Sequence, residues 1–490
     1  MGYLGLIEIV YFCYMRRKNY LLVILTLLNI YSSAQDKWDL RRCIDYALAN
    51  NISIKQTDLQ ARLAKLQVYQ SKMGQYPSAS FSASSSYNSG RNQDPTSFSL
   101  ITQSYLAANM QLQSSVEIFN WYSKRNTIAA SAYELQASLA NSEKIRNDIA
   151  LTVATVYLQV LLFKEQERIA SIQLQQSQSQ LTATRKRVSA GALPELNAAE
   201  LEAQVARDSS SVISAKGNTQ QSILNLKAYL ALDAAAPFDV DVPPVDKIPV
   251  ENIAALQPDV VYASAIANLP QQRVNDFKIK AAERSMAAAK GNMYPTISAF
   301  GSLGSGFNSR AQEITSSSLV NAPIGKVNVS GTDYSVFPLQ PFTSYGYSKQ
   351  AFTSQLNQNF RQSVGLSLSV PIFNGSNLRT AYERSRINIE NLQLQQQLDN
   401  QKLKQDIYTA YNSAMVALEK YNAGKKTLEA ANRTLEFSQK RYGVGMLSVF
   451  ELIVNQNNQF SAELNNLVNQ YDYVFKMKVL EFYKGKGLKL

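Results

Sequence analysis

The chain has 490 residues, with 49 Lys and Arg against 37 Asp and Glu, two Cys and no His, for a formal net charge of +12. Without His there can be no Ser-His-Asp or Cys-His arrangement and no His-ligated metal, and no carboxylate pair stands out, so an enzyme is not expected and no cofactor is implied. The basic residues are scattered among Gln and Glu rather than gathered in a block with aromatics, which argues against nucleic acid as a partner.

Residues 1–34 read as a secretory signal peptide. Met15-Arg16-Arg17-Lys18 gives a basic start, Tyr20 to Ile30 an apolar run too short to span a membrane, and Ser32-Ser33-Ala34 the small residues of a cleavage site. Met15 is then a candidate initiator. Removal of the leader lowers the net charge to +10 and leaves Cys43 as the sole cysteine, so no intrachain disulfide is expected.

A short amphipathic helix is expected after Trp38-Asp39-Leu40, stopping near Asn50-Asn51. A second runs from about 52 to 75 with Leu59, Leu63, Leu66 and Tyr69 on one face, and Tyr76-Pro77 ends it. The period then changes to two. At about 77–90 Ala79, Phe81 and Ala83 alternate with serines, and at about 105–119 Leu106, Ala108, Met110 and Leu112 alternate with Asn109, Gln111 and Gln113. The same alternation returns after Tyr294-Pro295, at about 295–307 and 360–373. Strands of this length suit a tilted bilayer crossing.

The chain states its central stretch twice. Val116-Glu117-Ile118-Phe119-Asn120 is echoed by Val370-Pro371-Ile372-Phe373-Asn374, and Lys186-Arg187 with Gly191 by Lys440-Arg441 with Gly445, all at an offset of 254. A shared offset over so long an interval indicates an internal duplication. Between the echoes there is no Pro, and heptad spacing runs through Ile128, Leu135, Ser142, Ile149, Val156 and onward, interleaved with Ala132, Leu139, Arg146, Val153 and Val160. Each copy therefore predicts one coiled-coil helix of roughly 100 Å. The expected domains are a first repeat at 35–232, a Pro-rich linker at 233–269 and a second repeat at 270–490, each repeat reading helix, two strands, long helix, helix. Four strands cannot close a barrel and an open edge in lipid is prohibitive, so the barrel must be shared between chains.

With these residues the chain resembles the TolC-like outer-membrane efflux protein family. The resemblance rests on the two Tyr-Pro helix ends, the Ile-Phe-Asn strand exits and the turns at 187–197 and 441–451. It implies a mainly α fold with membrane β, in which a homotrimer forms a 12-stranded outer-membrane β-barrel continued by a periplasmic α-helical coiled-coil barrel. It also implies a passive exit duct of a tripartite efflux or type I secretion system in a Gram-negative outer membrane. The partners would be a periplasmic adaptor, an inner-membrane pump and outer-membrane lipid.

On this reading Arg187, Gly191, Leu193, Arg441, Gly445, Met446 and Leu447 form the adaptor-docking tips, with Leu193, Met446 and Leu447 as exposed apolar contacts. Asn197 and Glu451, six residues past each tip glycine, stand at the periplasmic entrance, where the family commonly carries acids. Glu451 alone keeps the charge, and Leu447 replaces the Arg that some members use for gating. The residues around 308–359, which lengthen the second strand connection by 36, are expected to form an extracellular loop. The rival reading is an exported coiled-coil scaffold or adhesin without a pore.

Overall fold

The computed structural model describes residues 37–93, 98–242 and 248–485. The signal peptide, Cys13, Asp94-Pro95 and the Pro243-Pro244 part of the linker lie outside them. The chain divides into two compact units that interleave along the sequence. One comprises the described parts of 1–63, 136–278 and 392–490, the other those of 64–135 and 279–391.

The helices are α1 (Leu40–Asn50), α2 (Ile52–Met73), α3 (Ser123–Ser189), α4 (Glu195–Leu230), α5 (Pro258–Asn268), α6 (Pro270–Gly291), α7 (Phe352–Gln358), α8 (Asn377–Gly443) and α9 (Val449–Tyr483). The strands are β1 (Ser78–Gln93), β2 (Leu100–Phe119), β3 (Thr296–Asn308), β4 (Gln312–Val320), β5 (Gly325–Val329), β6 (Thr332–Val336), β7 (Phe342–Lys349) and β8 (Arg361–Ser369). The bounds recur in register. α3 and α8 each have 67 residues and begin and end 254 apart. α1 with α5, and α2 with α6, match in length and begin and end 218 apart.

The first unit is helical and holds three apolar clusters. In one, Cys43 and Ala47 of α1 meet Val153, Tyr157 and Leu161 of α3, Leu226 and Leu230 of α4 and Tyr471 and Val474 of α9. Burying a side chain such as Leu161 fully contributes about 2 kcal/mol. The Tyr157 hydroxyl satisfies itself on the backbone, 2.7 Å from Asp241 O, where Val240 forms a parallel bridge with Trp38. Asp39 caps α1 by accepting the Arg42 N–H at 2.8 Å. A second cluster gathers Leu256, Val261 and Ala265 around Ile407, Ala414, Met477 and Leu480.

Polar residues at seam positions are partnered, Ser142 buried and Arg146 part-exposed. Ser142 donates to Asp58 at 2.6 Å and Arg146 pairs with the same carboxylate at 2.8 Å. The seam is not uniform, however. Leu139 is exposed, and Ala137 and Ala140 are the buried residues there, because small side chains let the helix pack more closely at that level. Leu59, Leu63, Leu66 and Tyr69, the expected apolar face of α2, are all exposed. Ile54 and Ala61 on another face are buried instead.

The second unit carries an antiparallel sheet of order β1-β2-β3-β8. Its register puts Phe81, Leu112 and Leu303 side by side, and Val116, Ala299 and Leu366 likewise. Paired residues share a face, so one face is mainly apolar, interrupted by Ser85, Ser114, Ser305 and Gln362, and the other carries Ser80, Ser82, Gln111, Gln113, Ser302 and Ser363. The strand expected to run to Phe373 ends at Ser369, since Pro371 has no N–H for the ladder. The 308–359 segment is not a plain loop: it folds into the ribbons β4–β7 and β5–β6 and the helix α7. Gln355 of α7 is buried, accepting the Asn308 N–H at 2.8 Å and donating to Asn308 O at 3.0 Å.

Candidate functional site

Both long helices reverse through the same turn. At the first, Ala192 N–H bonds Arg187 O at 2.9 Å and Gly191 N–H bonds Val188 O at 2.9 Å. At the second, Met446 N–H bonds Arg441 O at 2.8 Å and Gly445 N–H bonds Tyr442 O at 3.1 Å. This is the Schellman closure, and it needs a left-handed residue, which Gly191 (φ +71°) and Gly445 (φ +79°) supply. The arginines sit in the last helical turn, where a cation complements the carbonyl end of the helix. The Arg441 guanidinium also donates to Met446 O at 3.3 Å, and that of Arg187 lies over the Tyr442 ring at 5.9 Å.

The two hairpins are joined below their turns. Leu181 and Leu201 of the first pack with Val449 and Ile453 of the second, and the hydroxyls of Thr184 and Tyr442 lie 3.4 Å apart. Beneath them is a buried polar layer. The Asp208 carboxylate, 5% exposed, accepts from Ser177 at 2.6 Å and from Gln204 at 2.8 Å, and Gln204 exchanges amide hydrogen bonds with Asn457 at 3.0 and 3.3 Å. Heptad steps from Ile128 reach Ser177 on the seam, whereas Asp208 is not among the expected site residues. A carboxylate in phase with the apolar residues Leu201 and Val212 was the available signal.

Leu193 and Leu447 are half-buried rather than fully exposed as expected. Met446 is exposed as expected. The other exposed apolar side chains at the turns are Leu196, Val444 and Phe450, and Leu196 and Phe450 are again 254 apart.

Asn197 and Glu451 begin α4 and α9. Glu451 belongs to a capping box: its N–H bonds the Ser448 hydroxyl at 3.1 Å, and its carboxylate accepts from the Ser448 N–H at 3.1 Å and the Ser448 hydroxyl at 2.9 Å. These bonds, the backbone one foremost, hold its pKa below the ordinary carboxylate range. At the equivalent place the first hairpin has Pro194, which caps α4 without a side-chain bond. Among the described residues no cluster of Cys, Asp and Glu is arranged to hold a metal ion.

The chain matches the protein family described as "Outer membrane efflux protein" over residues 43–232 and 261–483. It is 20% identical to the outer membrane efflux protein BepC of Brucella suis over 396 residues, covering 79% of this chain and 73% of BepC. It is 21% identical to the pyoverdine export outer membrane protein OpmQ of Pseudomonas aeruginosa over 359 residues, 72% of this chain and just under two thirds (64%) of OpmQ. Its fold is that of the transmembrane channel CusC, with a TM-score of 0.72 at 16% identity over 92% of this chain and 93% of CusC.

Proposed function

The chain belongs to the outer membrane efflux protein family, and on that premise we propose that three copies assemble one continuous exit duct. The family is one of channels of the Gram-negative outer membrane rather than of enzymes. In the proposed assembly the β1-β2-β3-β8 sheets of three chains close a 12-stranded barrel, and the long helices line a periplasmic tunnel. The duct is passive, taking cargo from an inner-membrane pump through a periplasmic adaptor.

The observation that carries this reading is the sheet. One face is mainly apolar across the four strands, the other is rich in Ser and Gln, and β1 and β8 end it with no further strand among the described residues. Such a sheet is stable in lipid only when its edges are paired, and identical chains supply the partners. The exposed stripes Leu59, Leu63, Leu66 and Tyr69 of α2 and Ile387, Leu394 and Leu398 of α8 support contacts between copies as well. The matching offsets support two repeats, and the pairing of α1 with α5 moves the start of the second from the expected 270 to about 258, inside the expected linker 233–269.

The turns at 187–197 and 441–451 are the proposed docking tips. Arg187, Gly191, Arg441 and Gly445 set their shape, Leu193 and Leu447 brace them, and Leu196, Met446 and Phe450 offer contact surface. Asn197 and Glu451 border the entrance. In-cell photo-crosslinking from Met446 and Leu196, with mass spectrometry of the adducts, tests the docking. Capture of a periplasmic adaptor is expected; adducts lacking any adaptor at normal expression overturn it. The rival reading, an exported scaffold without a pore, is set aside because the family match spans both halves of the chain.

A further inference from the structure

On the polar face of the β1-β2-β3-β8 sheet, three rows of paired residues cross all four strands. Their members are Ser, Gln and Gly, with Arg361 at one edge and a single aromatic among them, Phe300. The Phe300 row reads Ser78, Ser115, Phe300, Gly365, so the ring has only small neighbours on either side. It leans onto Gly365. A Cβ at position 365 would lie 2.8 Å from Cζ of Phe300 and 3.1 and 3.5 Å from its two Cε atoms, so the ring fills the space that a side chain there would take. Phe300 is nevertheless 40% exposed.

An aromatic ring that covers a cross-strand glycine stabilises a sheet, and that accounts for the contact itself. It does not account for the choice of residues. In the next row the same two strands pair Ser302 with Ser363, whose hydroxyls lie 2.8 Å apart, and the ladder closes there without a ring. A serine pair would serve the Phe300 row equally well and would leave no apolar surface in water. The chain instead keeps a phenyl ring on a polar wall, over a glycine that gives it room to lie across the strand.

We propose that Phe300, seated on Gly365 and flanked by Ser115, is a contact site for planar aromatic groups of the cargo on the wall of the duct, repeated three times at one height. The inference rests on the three-chain barrel proposed above, in which the polar face lines the bore. That face meets neither lipid nor a neighbouring sheet, so what passes through the bore is its occupant. Twelve strands about 4.8 Å apart and tilted by about 40° enclose a bore of roughly 20 Å or more across the backbone. Three phenyl rings cannot meet over that width, so Phe300 holds cargo briefly at the wall and does not gate. Its free face takes a second ring in offset or edge-to-face contact, and the small side chains beside it leave the approach open.

Ser115→Cys puts a thiol beside Phe300 on the same face, while the native Cys43 is buried. The assembled protein in phosphatidylcholine vesicles is treated with a charged, water-soluble maleimide. Ser115→Cys should be labelled, and Leu112→Cys, on the opposite face, should not. Any other pattern overturns the barrel placement and this site with it. Naphthalene-2-sulfonate is then added as the aromatic probe, with methanesulfonate as its non-aromatic control. The naphthalene compound alone should slow the labelling of Ser115→Cys. The concentration that halves the rate should rise about two- to tenfold when Phe300→Ser and Gly365→Ser are added, a pair that copies Ser302 and Ser363. If that chain does not assemble, Phe300→Leu keeps Gly365 covered and tests the same loss. Equal protection with and without the ring, or no protection in either, overturns the contact site and leaves the duct intact.

Discussion

The Asp208 carboxylate accepts the Ser177 hydroxyl at 2.6 Å in a site that leaves Asp208 only 5% exposed. Ser177→Ala removes one of its two side-chain donors and leaves a charged group short of a partner. The expected loss is about 1–3 kcal/mol, seen as a lower unfolding midpoint of the assembled protein. Asp208→Asn in the Ser177→Ala background should recover part of it, since the neutral amide is less costly to bury.

The Lys478–Glu481 ion pair is 4% and 7% exposed, and Glu481 also accepts the Glu251 N–H at 2.7 Å. Removal of one charge, as in Lys478→Met, strands the other and should cost about 3–5 kcal/mol. The double variant Lys478→Met with Glu481→Gln should lose much less. A double-mutant cycle by chemical denaturation measures the difference.

Gly191→Ala and Gly445→Ala should each destabilise their turn by about 1 kcal/mol. Nothing lies within 4 Å of the added methyl at either site, so the cost is one of backbone conformation alone. Faster amide exchange at Ala192 and Met446, with unchanged exchange in the sheet, would register it.

Glu451 is held ionised by Ser448, so its contribution to the start of α9 has a definite pH dependence. The folded pKa lies below the ordinary value. The contribution is full above the ordinary carboxylate range and is lost as pH falls through the lowered value. The protection of the Glu451 and Leu452 amides, exchange rates being taken relative to the intrinsic rate at each pH, should therefore fall on acidification in the native chain and stay constant in Glu451→Gln. If Glu451 also borders the entrance, Glu451→Gln should lower the ratio of cation to anion permeability in planar bilayers.

Burial first, and Asp39 second, push the Cys43 thiol up to about 12. A maleimide at pH 8 should leave it unmodified in the native assembly and label it only after denaturation, as intact mass will show.

Much of this was legible because the chain repeats itself. Lys186-Arg187 and Lys440-Arg441, read at a fixed offset, located both turns, and the absence of Pro between Asn120 and Arg187 announced a helix that runs from Ser123 to Ser189. Alternation found the strands because one face of the sheet is mainly apolar. What escaped was set by rotation rather than spacing. Leu193 is half-buried and Leu196 exposed because the first lies in the turn before the Pro194 cap and the second on α4, a boundary that spacing does not fix. The α2 stripe was found correctly as a stripe, but a lone sequence does not say whether such a face packs within its own chain. Phe300 is out of phase with Ile297, Ala299 and Leu303 on β3, and only the strand pairing shows Gly365 beneath its ring.

The open edges of β1 and β8 have a genetic corollary. If each barrel draws its strands from three chains, one faulty sheet spoils a ring that contains two sound ones. In a cell expressing sound and edge-defective copies equally, only about one assembly in eight would be wholly sound when chains mix at random. Alleles that damage β1 or β8 without preventing assembly should therefore be dominant, whereas alleles that prevent folding should be recessive.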